Sequence, residues 1–175
     1  MATTSEVLVL SGAAGAGKST ACVAIAGRVP GACAIDGDTL SSARRAWDYD
    51  EYWAFTMRVC AGVLRNGLVP VICGIGMPGQ VFPAADAAGL RVDMLALVCD
   101  PDAIRHRVVE RGYGGAWQHP EKHVAVDREL RDAAARAPHR FATFDTSLHG
   151  IDDTADATVE WVSAAVVRRA AAAAR

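Results

Sequence analysis

The chain has 175 residues, of which 51% are hydrophobic and 22% are charged, and its formal net charge is −2. This length and composition suit a single globular domain, residues 1–175, with a full hydrophobic core, and they exclude a disordered or fibrous protein. The small net charge and the scattered basic residues argue against a nucleic-acid-binding surface, which would show a basic stripe.

Five short apolar runs predict the strands of a parallel sheet. Continuous runs of this length are typical of strands that are buried on both faces. The third run contains Pro70, which would remove one hydrogen-bond donor from the ladder. The runs lie at residues 7–10, 32–35, 69–73, 94–99 and, more weakly, 141–144.

Segments with the period of a helix separate these runs. Pro101–Asp102 is a good helix start, because proline suits the first turn and an acid favours the positive end of a helix. Alternating strands and helices predict an α/β fold, a three-layer α/β/α sandwich around a parallel sheet of about five strands. Further helices are predicted from the spacing of Tyr52, Phe55, Val59 and Val63 and, after the cap candidates Asp152 and Asp153, from that of Ala155, Val159, Val162 and Val166.

A phosphate loop occupies residues 12–19, whose sequence GAAGAGKS matches G-x-x-x-x-G-K-[ST] in full. The motif follows a predicted strand and opens a helix, which is the context that it requires. Glycines let backbone N–H groups surround a phosphate, Lys18 can reach the β- and γ-phosphates, and the Ser19 hydroxyl can ligate Mg²⁺. The motif predicts a P-loop NTPase fold that binds ATP and Mg²⁺. The predicted nucleotide-binding residues of this segment are Gly12, Ala13, Ala14, Gly15, Ala16, Gly17, Lys18, Ser19 and Thr20.

A second glycine pattern, G-x-G-x-x-G at residues 74–79, follows the third predicted strand. In isolation it indicates a dinucleotide site, but Pro78 falls inside it and the phosphate loop already occupies the first strand–helix junction. Ligands of open α/β sheets bind at the carboxyl ends of the strands. We therefore predict a flexible loop that faces the substrate, with Gly74 at the acceptor site.

Two carboxylates, Asp36 and Asp38, end the second predicted strand. They would lie beside the phosphate loop if the first two strands are neighbours. One carboxylate can order Mg²⁺ and its waters, while the other accepts a proton from an attacking hydroxyl. An ordinary Asp-Gly turn is the alternative, and the nearby phosphate loop disfavours it. We assign Asp36 to the metal and Asp38 to the base, and the sequence leaves open the reverse assignment.

The chain resembles the small P-loop kinases that include shikimate kinase, adenylylsulfate kinase and chloramphenicol phosphotransferase. The resemblance rests on the phosphate loop, on the D-G-D stretch at 36–38 and on residues 99–111, which resemble the family's fourth strand, next helix and start of the lid. It implies transfer of the γ-phosphate of ATP to a hydroxyl of a small molecule, with Asp38 as the base. The chain also lacks the N-K-x-D motif of GTPases.

Two arginines and a later loop complete the implied nucleotide site. Arg107 and Arg111 stand four residues apart on one helix face, where they could neutralise charge on the transferred phosphoryl group. The resemblance places a mobile lid at about 111–123 and the loop that begins with Asp145 beside the adenine. Arg111 and Asp145 are therefore predicted to contact the nucleotide.

Aromatic and basic residues lie between the Asp pair and the third strand, where these kinases seat the acceptor. They could form an aromatic box with polar anchors, which would suit a nucleoside or another ring-bearing metabolite or antibiotic. Packing in the core is the alternative for such aromatics. The predicted acceptor residues are Asp38, Arg44, Trp47, Tyr52, Arg58 and Gly74, with Tyr49 and Trp53 in the same cluster.

The remaining features indicate a cytoplasmic monomer or homodimer with no membrane partner. No apolar run approaches the about 20 residues of a membrane span, and the five cysteines form no C-x-x-C pair. His119 and His123 are four apart but lack H-E-x-x-H, so a surface pair is predicted rather than a zinc site. A nucleoside-monophosphate kinase and a regulatory module with little or no catalysis stay open as alternatives.

Overall fold

The computed structural model describes residues 6–41, 48–112 and 118–174. Within these residues five strands alternate with seven helices. Each predicted strand is present, and the last helix extends well beyond the predicted apolar repeat. The elements are β1 (Glu6–Gly12), α1 (Lys18–Arg28), β2 (Ala32–Asp36), α2 (Gly37–Ser41), α3 (Tyr49–Arg65), β3 (Val69–Cys73), α4 (Pro78–Ala87), β4 (Arg91–Val98), α5 (Pro101–Arg111), α6 (Pro120–Arg136), β5 (Phe141–Asp145) and α7 (Ile151–Ala173).

The five strands form one parallel sheet in the order β2-β3-β1-β4-β5. The central strand β1 is buried along its whole length, as its continuous apolar sequence predicts. The chain runs first to β2 and β3 on one side of β1 and then to β4 and β5 on the other. The strand order therefore changes direction at β1, where open α/β sheets form their ligand-binding crevice.

Pro70 is accommodated in β3 by the register of the sheet. The N–H of Val69 donates to Gly31 O on the β2 side at 2.8 Å, so alternation along a parallel strand turns the nitrogen of Pro70 toward β1. Pairing of β3 with β1 begins only at Leu8 and Val71. The missing donor of proline therefore costs the ladder no hydrogen bond.

Helices cover both faces of the sheet and confirm the predicted three-layer α/β sandwich. On one face Trp53 of α3, Val81 of α4 and Leu130 of α6 pack against the strands, and on the other Ile25 of α1 and Val162 of α7 do so. All five cysteines are free, and four of them are buried. None of the helices in the described residues combines the length and apolarity needed to cross a membrane.

The buried stripe of α3 differs from the predicted repeat. The buried side chains are those of Trp53, Thr56, Met57, Cys60 and Leu64. The predicted residues Tyr52, Phe55, Val59 and Val63 are only half-buried and flank this stripe. An apolar repeat at helical spacing identifies the helix but leaves its rotation about the axis to tertiary packing.

The ends of α5 and α7 follow local capping. The Asp100 side chain caps α5 by accepting from Asp102 N at 2.8 Å, so the predicted helix start is confirmed. In α7 the cap residue is Gly150, and Asp153, predicted as a cap, lies in the first turn and accepts from Gly150 N at 3.1 Å. An acid at this third helical position completes a capping box instead of the cap itself.

The predicted lid, residues 111–123, spans the connection between two helices. Arg111 ends α5, and Gly112 follows it in the left-handed conformation, with φ 61°. Residues 120–123 form the first turn of α6, and residues 113–117 lie outside the described part of the chain.

Candidate functional site

The phosphate loop (residues 12–19) joins β1 to α1, and its backbone requires the motif glycines. Gly12 has φ 152°, and a Cβ placed there would lie 2.5 Å from Leu97 O. Gly17 has φ 99° and directly precedes Lys18, the first residue of α1. Other residues rarely adopt these conformations. The glycines therefore shape a turn whose N–H groups can surround an anion at the helix N-terminus.

Lys18 connects the phosphate loop to the charged groups around it. Its Nζ donates to Ala13 O at 2.8 Å across the loop. Burial lowers the pKa of Lys18 to about 8; Asp38 and Asp36 partly oppose this shift, and Arg111 adds to it. Three other predicted site residues thus lie within electrostatic reach of Lys18.

The predicted Asp pair forms a tight turn at the carboxyl end of β2. Asp36 ends the strand, and its Oδ1 accepts from Asp38 N at 2.9 Å. Gly37, between them, packs on the loop after β3, because a Cβ on Gly74 would lie 3.3 Å from Gly37 Cα. The Tyr52 hydroxyl donates to Gly37 O at 3.2 Å. Tyr52 and Gly74, both predicted acceptor residues, therefore lie directly beside the two carboxylates.

The loop after β3 is held in place, although the sequence predicts a flexible one. Ser11 Oγ, at the end of β1, donates to Gly76 O at 2.8 Å and accepts from Gly76 N at 3.0 Å. On its other side a Cβ on Gly76 would lie 2.8 Å from Cζ2 of Trp53. Gly74 and Gly76 thus allow this loop to pack closely against Gly37 and Trp53.

The other predicted acceptor residues are only partly described. Trp53 is fully buried in the core, so the prediction that it belongs to an aromatic box is wrong. Tyr49 and Arg58 are exposed on α3. Arg44 and Trp47 lie outside the described residues. Tyr52 is thus the aromatic of this cluster that the structure places at the Asp turn.

The two predicted arginines project from α5 toward the phosphate loop. Arg107 Nη1 donates to Gly15 O at 3.2 Å and contacts Cys99 Sγ at 3.3 Å and Thr146 Oγ1 at 3.5 Å. The side chain packs so closely on the loop that a Cβ on Gly15 would lie 2.9 Å from Arg107 Cβ. Arg111, one turn later, is exposed, and its charge acts on Lys18.

A cavity of about 240 Å³ opens between α5, the phosphate loop and the start of α7. We call it the α5–α7 cavity. Its walls combine loop backbone, guanidinium groups and side chains of the β5–α7 connection, which suits a charged, ring-bearing ligand. The residues that define it include Gly15, Thr20, Arg107, Arg111, Thr146 and His149.

Asp145, predicted to contact the nucleotide, is engaged within the protein. Its Oδ2 accepts from Arg131 Nη2 at 3.0 Å, and its Oδ1 accepts from the N–H of Ser147 at 3.0 Å and from the Ser147 hydroxyl. The next residue, Thr146, lines the α5–α7 cavity. The carboxylate of Asp145 thus shapes the loop that borders the cavity.

Helix α6 contributes polar residues that sequence reasoning missed. His123, predicted as part of a surface pair, is only 1% exposed, and its Nδ1 accepts from Ala14 N of the phosphate loop at 3.4 Å. Asp127 and Arg131 follow at four-residue steps and contact the ends of β4 and β5. We call these three side chains the α6 row. Their i, i+4, i+8 spacing is the signal that could have found them, since it places them on one helix face.

The donors available to a metal are hard oxygen ligands. The Ser19 hydroxyl is exposed at the second position of α1, and the Asp36 carboxylate lies at the end of β2. Such groups suit Mg²⁺, which keeps several waters and takes phosphate oxygens as its other ligands. Among the described residues no group of three or more histidines, cysteines, aspartates or glutamates could hold a metal by itself.

No protein-family model and no curated protein sequence matches the chain. Solved structures do match it. The tunicamycin resistance protein of Deinococcus radiodurans superposes with a TM-score of 0.67 at 14% identity, covering 90% of this chain and 95% of that one. The fold is that of the P-loop kinases.

Two further P-loop kinase folds superpose over nearly their whole lengths. A sugar kinase from Janibacter sp. gives a TM-score of 0.63 at 16% identity, covering 92% of this chain and 96% of that one. A gluconokinase from Sinorhizobium meliloti gives a TM-score of 0.58 at 18% identity, covering 95% of this chain and 94% of that one. The resemblance inferred from the sequence is thereby confirmed at the level of the fold, and at these identities it says nothing of the acceptor.

Proposed function

We propose that the protein is an ATP-dependent phosphotransferase that moves the γ-phosphate of ATP to a hydroxyl of a small molecule. One observation carries this proposal: Lys18, at the start of α1, lies in the electrostatic field of Asp38, Arg111 and Asp36. Two acids and a second cation thus act on the lysine of the phosphate loop, which would be the cationic phosphate ligand. Phosphoryl transfer needs this combination, because its catalysis is mostly positioning and charge stabilisation.

ATP would extend from the phosphate loop into the α5–α7 cavity. The loop N–H groups would hold its phosphates, and Lys18 would exchange its bond to Ala13 O for one to a phosphate oxygen. Arg107 already lies on the loop at Gly15 O. It would stabilise the negative charge that spreads over the transferred group, together with Arg111. The nucleoside would lie between α5 and the β5–α7 connection.

Asp38 would accept the proton of the acceptor hydroxyl. As that oxygen forms its bond to the γ-phosphorus, the bond from phosphorus to the β–γ bridging oxygen breaks, and ADP leaves with the electron pair. The proton passes to the Asp38 carboxylate, so the product is a phosphate ester. Mg²⁺, held by Ser19 and, through water, by Asp36, would supply neutralisation of the phosphate charge.

The acceptor would lie beside Tyr52, Gly74 and the Asp36–Asp38 turn. A half-buried phenol next to two carboxylates suits a hydroxylated, ring-bearing metabolite, a nucleoside or an antibiotic of that kind. The names of the similar structures point to different molecules, namely tunicamycin, a sugar and gluconate. A test must therefore offer several acceptor classes.

The decisive experiment measures ADP release from ATP and Mg²⁺ with a panel of nucleosides, sugars, sugar acids, amino alcohols and hydroxylated antibiotics. We expect one acceptor class to stimulate ADP release and to gain one phosphate by mass spectrometry. The stimulation should disappear in the Lys18→Ala protein. Tight ATP binding with no stimulation by any acceptor of the panel would contradict the proposal and favour a regulatory nucleotide-binding protein.

A further inference from the structure

We propose that His123 is a positioning residue that holds the phosphate loop in the shape that binds nucleotide. His123 begins the α6 row, whose other members are Asp127 and Arg131. The inference rests on the proposed binding of ATP and goes beyond it, since none of these side chains takes part in the chemistry above.

The contact between His123 and the phosphate loop is buried and directional. The imidazole is 1% exposed, and its Nδ1 accepts from Ala14 N at 3.4 Å. Ala14 is buried in the same apolar cluster as Val124, the residue that follows His123 in α6. The first half of the loop is thus attached to α6 by a hydrogen bond as well as by apolar packing.

The next loop residue is attached to the preceding helix. Gly15 O accepts from Arg107 of α5 at 3.2 Å, directly after the Ala14 N–H that His123 accepts. Two consecutive residues of the phosphate loop are therefore held by two consecutive helices. The peptide group between them is fixed on both sides, which orients the N–H groups that follow it in the loop.

The other members of the row fix the neighbouring strand ends. Asp127 is 4% exposed, and its Oδ1 accepts from Cys99 N, just past β4, at 2.9 Å. Arg131 bridges Asp127 Oδ2 at 2.8 Å, Cys99 O at 3.2 Å and Asp145 Oδ2 at 3.0 Å. The α6 row thus contacts three parts of the carboxyl edge of the sheet. His123 contacts the loop after β1, Asp127 the end of β4, and Arg131 the end of β5.

These three contacts give α6 a defined role in nucleotide binding. The loop after β1 holds the phosphates in the proposed function, and the connection after β5 borders the α5–α7 cavity. Because one face of α6 contacts the loop after β1 and the ends of β4 and β5, the relative positions of these segments are set before nucleotide binds. Preorganisation of this kind raises affinity by reducing the ordering that binding requires.

The test compares ATP affinity in His123→Leu, His123→Asn and Leu130→Ala proteins by calorimetric titration, with the melting temperature of each. Leucine removes the acceptor, whereas the side-chain oxygen of asparagine can replace Nδ1. Leu130 is fully buried on the same helix but apolar, so its truncation lowers stability without touching the loop. We expect the dissociation constant for ATP to rise about threefold to tenfold in His123→Leu, as for loss of one hydrogen bond. It should stay within about twofold of wild type in the other two proteins.

Two results would overturn this role. One is wild-type ATP affinity in a folded His123→Leu protein, and the other is an equal loss in Leu130→Ala, which would tie affinity to stability alone. Should His123→Leu not fold, His123→Gln, whose side-chain oxygen reaches beyond the Nδ1 position, is expected to show the same loss. ATP binding requires no acceptor, so these results are separate from the acceptor panel. A wild-type protein that does not bind ATP would instead refute the proposed function, and this role with it.

Discussion

Gly37 and Gly74 lie backbone to backbone at the carboxyl ends of β2 and β3. A Cβ on Gly37 would lie 3.2 Å from Gly74 Cα, 3.3 Å from Cys73 O and 3.0 Å from the Tyr52 hydroxyl oxygen. The turn that carries Asp36 and Asp38 is thereby seated on the loop after β3. The position of the proposed base thus depends on two residues that have no side chain.

Replacement of Gly37 by alanine should therefore impair the acceptor step. The added methyl group must displace the Asp turn by a few tenths of an ångström, and misplacement of a catalytic group lowers turnover steeply. We expect kcat/KM for the acceptor to fall about tenfold or more, with ATP affinity nearly unchanged. Gly79→Ala is the control, because a Cβ there meets nothing within 4 Å. Unchanged acceptor kinetics in Gly37→Ala would show that the turn tolerates the shift.

Lys18→Met should abolish transfer without lowering stability. The ammonium group is held in a site whose burial lowers its pKa to about 8, so the charged form is disfavoured in the absence of nucleotide. Methionine keeps the length of the side chain and removes that charge. We expect a melting temperature at or above that of wild type and no ADP release with acceptor. Lys122→Met, at an exposed position, should leave both properties unchanged; a marked loss of stability in Lys18→Met would contradict this account.

The pKa of Lys18 also predicts how nucleotide binding depends on pH. Above about pH 8 the nucleotide-free protein loses the Lys18 proton. In the proposed function ATP binds the charged form of Lys18, so the lysine must take up a proton when ATP binds. Affinity for ATP should therefore decline as the pH rises through 8 to 9.5, with proton uptake detectable by calorimetry in buffers of different ionisation enthalpy. An affinity independent of pH over this range would contradict the prediction.

The same group makes the nucleotide-free protein more stable at high pH. An unfolded lysine keeps its proton up to a pKa near 10.5, so between about 8 and 10.5 the unfolded state binds more protons than the folded state. The contribution of Lys18 to the free energy of unfolding therefore rises with pH between about 8 and 10.5. The rise should be absent from Lys18→Met when the two proteins are compared by chemical denaturation.

The roles of Asp36 and Asp38 should be distinguishable, because replacement of each residue should impair a different kinetic property. Asp38→Asn removes the proposed proton acceptor and should lower kcat by about 10²- to 10⁴-fold, with ATP affinity retained. Asp36→Asn should instead raise the Mg²⁺ concentration required for half-maximal activity. The opposite pattern, with turnover lost in Asp36→Asn and kept in Asp38→Asn, would reverse the two assignments.

The buried Asp127 should matter far more for stability than an exposed acid in an equally short ion pair. Asp127→Ala leaves the buried Cys99 N without its acceptor and removes one of the two carboxylates that Arg131 contacts, which costs about 2 to 3 kcal/mol. Asp156 forms a 2.7 Å pair with Arg28, but both side chains are largely exposed, so Asp156→Ala should cost below about 1 kcal/mol. Urea denaturation measures both, and similar losses in the two variants would contradict the burial argument.

The local features of the site could be predicted from the sequence. At Gly12 and Gly17 the phosphate loop has backbone conformations that residues other than glycine rarely adopt. The sequence motif is therefore enough to predict the shape of the loop. Continuous apolar runs marked all five strands; β1 and β3 are buried along their whole length, whereas the edge strands β2 and β5 are half-buried or partly exposed. The prediction that Asp36 ends β2 is confirmed, and Asp38 follows it in α2, but β2 is not a neighbour of β1, because β3 lies between them.

Features that depend on tertiary packing could not be predicted. The side chains of the α6 row have the polarity of a solvated helix face, and only the contacts with Ala14, Cys99 and Asp145 explain their burial. Trp53 has the same spacing as a surface aromatic but points into the core. Helix α4 also escaped prediction, because Gly79 and Pro83 disfavour a helix that packing against α3 stabilises.

Because β1 is the central strand, the elements on its two sides come from two separate stretches of sequence. Residues 32–77 supply the strands and loops beside the Asp turn, and residues 91–155 supply those beside the α5–α7 cavity. Each stretch is continuous, and the phosphate loop alone is shared between them. In the proposed function, acceptor preference can therefore diverge through substitutions in the first stretch while ATP stays the phosphate donor. On the proposed function, a chimaera that receives only that segment from a P-loop kinase is expected to take the acceptor of that kinase and to bind ATP as the parent chain does.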